Sequence, residues 1–318
     1  MGNVFFIEIA KLRAAREVWA NIMKAFGAEE ADRSCRIHSR PAYFYRTIFD
    51  AGVNMLRNTT AMFSAVVGGV DTYENEPYDE TVRKGDEFSR RIARNAHIIL
   101  QEEFGMLRPI DPAGGSWALE HLTKEMAGKI WKEFQKIESM GGFTKALKAE
   151  YPQEQILDIL KQRFKALDFR KDRAVGNNMY PNMAEELIEP RPEDTPTLKK
   201  QLVKGVEDYR KDMDKEYLGK KLEELEASPA AGKLDKAIEA FSAGATQNEV
   251  YKAMTPDGEA EKVRPITEHR WTERFERLRF DTENYKKETG KNVEVFLANM
   301  GRIPQHKARA DFPLRSCR

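Results

Sequence analysis

Chemistry needs nucleophiles, acids, bases or ligands at workable spacing, and this chain offers few. Its five histidines, His38, His97, His121, His269 and His306, are scattered. His97 falls inside a predicted helix, His121 just before one, and His269 in a charged stretch. None belongs to an HExxH pair or a Cys/His cluster, so no metal ligand set is expected. There is no GxSxG, no Walker loop and no GxGxxG. Gly114 and Gly115 follow Asp111 and Pro112, but the segment offers too few backbone donors for a phosphate loop and reads as a turn. The acid pair Asp79-Glu80 is more pointed. Acids just ahead of a helix favour its N-terminal dipole with no ligand at all, and a functional reading needs to know what precedes them.

The elements around these residues alternate. Leu12, Ala15, Trp19, Ile22 and Phe26 recur at helical spacing and predict a helix over residues 5–26, stopped by Gly27. Residues 35–39 are short and partly apolar, ahead of Pro41, and predict a buried strand. A helix over residues 51–67 carries Val53, Leu56, Thr60 and Phe63 on one face and ends at Gly68-Gly69. Residues 70–73 predict a second strand, and residues 86–104 a helix with Ile92, Ala96, Ile99 and Leu100 as its stripe. Helix–strand–helix–strand–helix is the pattern of a parallel α/β sheet. A further helix is expected from Thr123, as N-cap, to Met140, and another over 153–166. Residues 184–262 are rich in Lys and Glu and poor in aromatics, with prolines at 190, 192, 196 and 229 among others, and read as linker and exposed helices; residues 234–254 are more amphipathic. Residues 293–298 form an apolar run of strand length followed by Gly301, the way a doubly wound domain opens.

Composition narrows the partners. The 318 residues suffice for two domains. With 53 basic and 52 acidic residues the net charge is +1, which gives no reason to expect nucleic acid or an anionic membrane. No apolar run reaches the roughly 18–20 residues of a membrane span. The apolar start is interrupted by Glu8 and lacks a cleavage site, so it reads as the beginning of a helix rather than a signal peptide. Phe6 stands where a myristoylation motif needs Ser or Thr. Two cysteines, Cys35 and Cys317, make a disulfide framework unexpected and a reducing cytoplasm the expected compartment.

Seven landmarks follow one another in fixed order: FFIEIAKLRAAR (5–16), RIHSR (36–40), NMLRNTT (54–60), VDTYENEPYDE (70–80), DEFSRRIARN (86–95), DPAGGSW (111–117) and VGNNMYPN (175–182). Together they resemble the cobalamin-dependent acyl-CoA mutases. That resemblance implies a fold of class α/β: the C-terminal part of a (β/α)8 TIM barrel, with residues 35–39 and 70–73 as its last two strands. GATQNEVYKAM (244–254) and RWTERFERLR (270–279) resemble the family's helical linker, and VEVFLANMG (293–301) the first strand of its cobalamin-binding domain. The implied organisation is barrel over 1–182, charged helical linker over 183–290 and a truncated cobalamin-domain start over 291–318. Six strands would precede Met1, and PLRSCR (313–318) departs from the family, so the chain reads as a fragment.

The resemblance also implies which positions matter. Where active members read HSQTSGW, this chain has His38-Ser39-Arg40-Pro41-Ala42-Tyr43-Phe44, so Gln becomes Arg40 and Trp becomes Phe44. An arginine only donates and does not copy an amide. Glu80 falls on the glutamate that active members place near the cofactor, at the C-terminal end of a barrel strand, where functional groups gather. Phe44 and Glu80 are therefore the candidate cofactor-binding residues, beside the bland readings of packing and helix capping. Active members carry K-x-G-x-D-x-H-x-x-G to ligate cobalt, with the Asp orienting the His. Here Asn299, Ile303 and Gln305 replace Lys, Asp and His, and His306 is one residue late. No catalytic residue and no metal ligand is assigned.

The departures resemble the small, non-catalytic subunit of a heterodimeric mutase. That implies a catalytic mutase subunit as partner, with acyl-CoA bound by that partner and adenosylcobalamin held in the family complex rather than by this chain alone. Two other readings stay open: a divergent catalytic fragment needing partner chains, and a ligand-free helical scaffold.

Overall fold

The run FFIEIAKLRAAR opens α1 (Phe5–Ala25), which ends where Gly27 turns left-handed and the Ala28 amide returns to the Met23 carbonyl. The computed structural model describes residues 1–182, 184–190, 195–211, 213–255, 262–294 and 296–314. After α1 come β1 (His38–Ser39), α2 (Asn54–Val67), β2 (Thr72–Tyr73) and α3 (Glu87–Ile98), the last continuing as a π-turn over Ile99–Glu103. The strands pair in parallel, His38 opposite Thr72 and Ser39 opposite Tyr73. The expected order of elements is therefore present. The strands are only two residues each, however, and they are the only sheet among the described residues. A parallel strand extends only as far as a neighbour offers hydrogen bonds, and each of these has one neighbour. The molecule is mostly helical.

Three further helices follow, α4 (Trp117–Ser139), α5 (Phe143–Lys148) and α6 (Tyr151–Asp168). The fourth begins at Trp117, not Thr123. Thr123 is buried, and its Oγ1 accepts a bond from Arg13 Nη1 at 3.2 Å, so it ties α4 to α1 instead of capping α4. Arg13 also holds Asp111 (3.1 Å) and Glu120 (2.8 Å), and Glu120 accepts the Gly115 amide at 3.0 Å. The glycine turn thus spends an amide on its own helix and serves as a joint. Ala14, Val18 and Ala127 pack between α1 and α4, and Leu12, Ala61 and Ala65 between α1 and α2. Gly68 is needed there, since a Cβ would lie 2.7 Å from the Leu12 side chain.

Two predicted faces are corrected. On α1, Trp19 and Phe26 are exposed while Ile9, Leu12, Ala14 and Val18 are buried. On α2, Leu56, Thr60 and Phe63 are exposed, and the buried side carries Asn54, Asn58, Ala61, Met62, Ser64 and Ala65. On α2 small residues let the helices approach closely, and the asparagines have backbone partners to meet.

The chain forms two compact units, one of residues 1–192 with 263–318 and one of residues 193–262. The second contains α7 (Thr195–Tyr209), α8 (Lys215–Glu226), α9 (Lys233–Ser242) and α10 (Gln247–Met254), and Leu225, Ala237, Ala240 and Val250 form its own core. The first unit resumes with α11 (Glu273–Thr289) and α12 (Ile303–Leu314). Among the described residues of 293–298 none is in a strand, and Phe296 is 91% exposed. An apolar run becomes a strand only beside another strand, and none lies there among the described residues. The last residues of PLRSCR, Cys317 included, lie outside the described residues. Among those described, no helix is long and apolar enough to cross a membrane.

Candidate functional site

The loops leaving the C-terminal ends of β1 and β2 carry a buried polar network. Glu76, from the loop after β2, has its side chain 3% exposed and accepts from Arg40 Nε at 3.1 Å and from Arg40 Nη2. Arg46, after β1, is equally buried and brings Nε to 3.8 Å from Glu76 Oε2. That separation is an ion pair, not a hydrogen bond. Arg46 Nε and Nη2, Glu76 Oε2 and the Tyr73 hydroxyl are all buried with no hydrogen-bond partner among the described residues. Burial pushes the Arg46 guanidinium down to about 10, and the nearby Glu76 charge opposes that only in part. Burial likewise pushes the Tyr73 phenol up.

Helix α2 is aimed at these loops. Asn54 Oδ1 accepts from the amide and hydroxyl of Thr47, both at 3.2 Å, and its Nδ2 donates to the carbonyls of Thr47 (2.9 Å) and Tyr78 (3.0 Å). Asn58 donates to the Glu76 carbonyl at 2.6 Å. Arg57 donates to Thr47 Oγ1, Asn54 Oδ1 and the Val175 carbonyl, which brings in the VGNNMYPN landmark. In that landmark Gly176 has φ +83°, and a Cβ there would meet the Asp50 side chain at 2.7 Å. From the far end of the chain, Glu276 accepts the Ile48 amide (2.9 Å) and pairs with Arg270, while the Trp271 amide donates to the Phe44 carbonyl at 2.7 Å. Four of the landmarks and the RWTERFERLR segment therefore converge on one loop cluster.

The two candidate cofactor residues sit at its margin. Glu80 is exposed, with its amide donating to the Pro77 carbonyl. Phe44 is half-buried beside Tyr45, with the Arg163 guanidinium 5.7 Å from its ring. With Ile156, Ile159, Leu160 and His269 it walls a small cavity of about 230 Å³. Asp79, next to Glu80, is fully buried and held by Arg83 at 2.7 Å. His306 lies on α12 with its Nδ1 buried and unpartnered. Among the described residues no three His, Cys, Asp or Glu side chains gather as a metal site.

A family profile described as methylmalonyl-CoA mutase matches residues 1–259. The chain belongs to the methylmalonyl-CoA mutase family. The matched range holds all seven landmarks and GATQNEVYKAM. The chain is similar to the methylmalonyl-CoA mutase small subunit of Streptomyces virginiae, 40% identical over 187 residues, covering 59% of this chain and 30% of that relative. It is similar to the small subunit of Porphyromonas gingivalis, 37% identical over 187 residues, covering 58% and 30%. It is also similar to a methylmalonyl-CoA mutase of Rhizobium meliloti, 35% identical over 258 residues, covering 80% and 36%. The chain thus spans about a third of the length of these relatives.

The residues that hold the loop cluster, Arg46, Asn54, Arg57, Asn58 and Glu76, were not singled out from the sequence. One signal was available for two of them. Asparagine is a poor helix former, and Asn54 and Asn58, four apart, share one face of a helix, which marks a polar face with partners to satisfy.

Proposed function

We propose that this chain works as a small, non-catalytic subunit of an adenosylcobalamin-dependent methylmalonyl-CoA mutase, packing against a catalytic chain in a heterodimer. The complex isomerises methylmalonyl-CoA and succinyl-CoA by radical carbon-skeleton rearrangement. The parallel pair β1–β2 carries this reading. Each strand bonds one neighbour among the described residues, which is consistent with reading the pair as part of a parallel barrel whose other strands lie on another chain segment. The similarity to small subunits supports it further.

The chain's own residues do not fit the cofactor as a cobalt ligand set. His306 has no carboxylate bonded to its Nδ1, and Gln305, on the ligand position, turns its Oε1 to the Arg302 amide at 3.0 Å. A cobalt-binding imidazole needs that second partner to fix its tautomer. The radical chemistry therefore belongs to adenosylcobalamin on the catalytic chain. Glu80 and Phe44 are the two positions through which this chain would approach it.

The test is co-expression with a catalytic mutase chain. The expected result is a stable complex that turns over methylmalonyl-CoA, while this chain alone is inactive. A monodisperse, cooperatively unfolding chain that ignores the catalytic chain would overturn the reading in favour of a free-standing scaffold. A divergent catalytic role is the second reading, favoured by the exposure of Glu80 beyond a strand end. It requires Glu80→Ala to weaken cobalamin uptake by the complex, and unchanged uptake and turnover exclude it.

A further inference from the structure

Beside the loop cluster lies a cavity of about 430 Å³, within the range of small-molecule sites. Three arginines, Arg46, Arg57 and Arg173, stand in its wall, and among the described residues no Asp or Glu does. The remaining wall is largely apolar, with Phe5, Leu56 and Trp271 as its large members. Arg46 is 2% exposed as a residue, and two of its three guanidinium nitrogens have no hydrogen-bond partner among the described residues. The nearest acids are engaged elsewhere. Glu76 serves Arg40 and Arg46 together, Glu276 pairs with Arg270, and Glu8 with Lys11.

A buried guanidinium with two unmatched nitrogens and only a long ion pair, to Glu76, is an incomplete arrangement, because a buried donor left without a hydrogen bond is costly. The geometry points to a binding site for a small organic anion, a carboxylate or phosphate monoester with an apolar body, seated with its charge at Arg46 and Arg173 and its body against Leu56 and Trp271. Arg57 is committed to Thr47, Asn54 and Val175, so it contributes charge and shape more than free donors. The site stands apart from the subunit reading and does not depend on it.

Calorimetric titration of the full chain tests this with benzoate, phenyl phosphate, inorganic phosphate and neutral benzamide. Charge-assisted hydrogen bonds are worth enough to predict that benzoate or phenyl phosphate binds ~10-fold or more tightly than benzamide. Whichever of the two binds better identifies the headgroup. Inorganic phosphate, without an apolar body, binds more weakly than phenyl phosphate. Arg46→Gln abolishes the preference for the anion. Should that variant fail to fold, Arg173→Gln, at an exposed position, weakens binding several-fold without touching the core. Equal binding of benzoate and benzamide, or affinities unmoved by both substitutions, overturns the proposal. So does loss of anion binding on adding the catalytic chain, which would make the occupant a partner side chain.

Discussion

Removing the Glu76 charge would leave Arg46 buried with nothing opposite it, a situation that costs about 3 kcal/mol or more. Glu76→Gln is therefore expected to lower the urea midpoint substantially. Arg46→Met placed on top of it recovers part of the loss, because the stranded cation is gone. A double-mutant cycle in urea checks both, and simple additivity of the two losses would show that the pair does not act as a unit. Asn54 is the neutral counterpart. It uses both ends of its amide, and Asn54→Ala would leave a buried Thr47 amide and the Tyr78 carbonyl unmatched, at about 1–3 kcal/mol. The family landmark NMLRNTT was legible as a motif. What its residues do was not, because the partners of Asn54 and Asn58 lie in loops whose course no local pattern specifies.

Helix ends show how local signals are honoured or overridden. Asp86 caps α3 by accepting the Ser89 amide at 3.0 Å, as its place ahead of a helix suggests. Thr123 looked equally suitable but lies inside α4, since Ala113 and Leu119 bury against Ile9 and pull the helix start forward. In the second unit, Thr246 and Glu249 form a capping box at the head of α10, and Glu249 also meets Arg210. That arginine and the Thr246 amide and hydroxyl draw the Glu249 carboxyl down to about 2 from its ordinary 4.5. A carboxyl depressed on folding contributes stability above its unfolded pKa and loses it as pH falls toward the folded one. Acid should thus weaken this unit between about pH 4.5 and 2, and Glu249→Gln should remove that part of the pH dependence. Thr246→Ala is expected to cost about 1 kcal/mol at neutral pH, read from helix content on heating.

On this architecture the chain as a whole is expected to unfold in more than one step. The 193–262 unit has a separate small core, and units of that size are only marginally stable. Calorimetry should resolve two transitions. Leu225→Ala, at a fully buried position, should lower one of them by about 2–4 kcal/mol and leave the other in place. A single shifted transition would mean the units are thermodynamically one. The open edges of β1–β2 bear on association at the same scale. Unpaired edges template pairing with other chains, so the chain alone should self-associate in sedimentation velocity, and a catalytic partner should suppress it.

Sequence alone determined the order of elements and the family, because apolar periodicity, glycine stops and ordered landmarks are local properties that survive without knowledge of the fold. It placed α1, α2, α3 and the two strands in register with what formed, within a few residues. It did not determine how far the strands extend, that the described residues of 293–298 would be irregular, or which face of α2 is buried. Those depend on neighbours distant in sequence: a strand lasts as long as its partner does, and a helix buries the side that finds complementary groups. The convergence of Arg46, Arg57, Glu76, Val175 and Trp271, from segments more than two hundred residues apart, is likewise a decision of tertiary structure. Charge, burial and missing partners acquire meaning only once those segments are brought together.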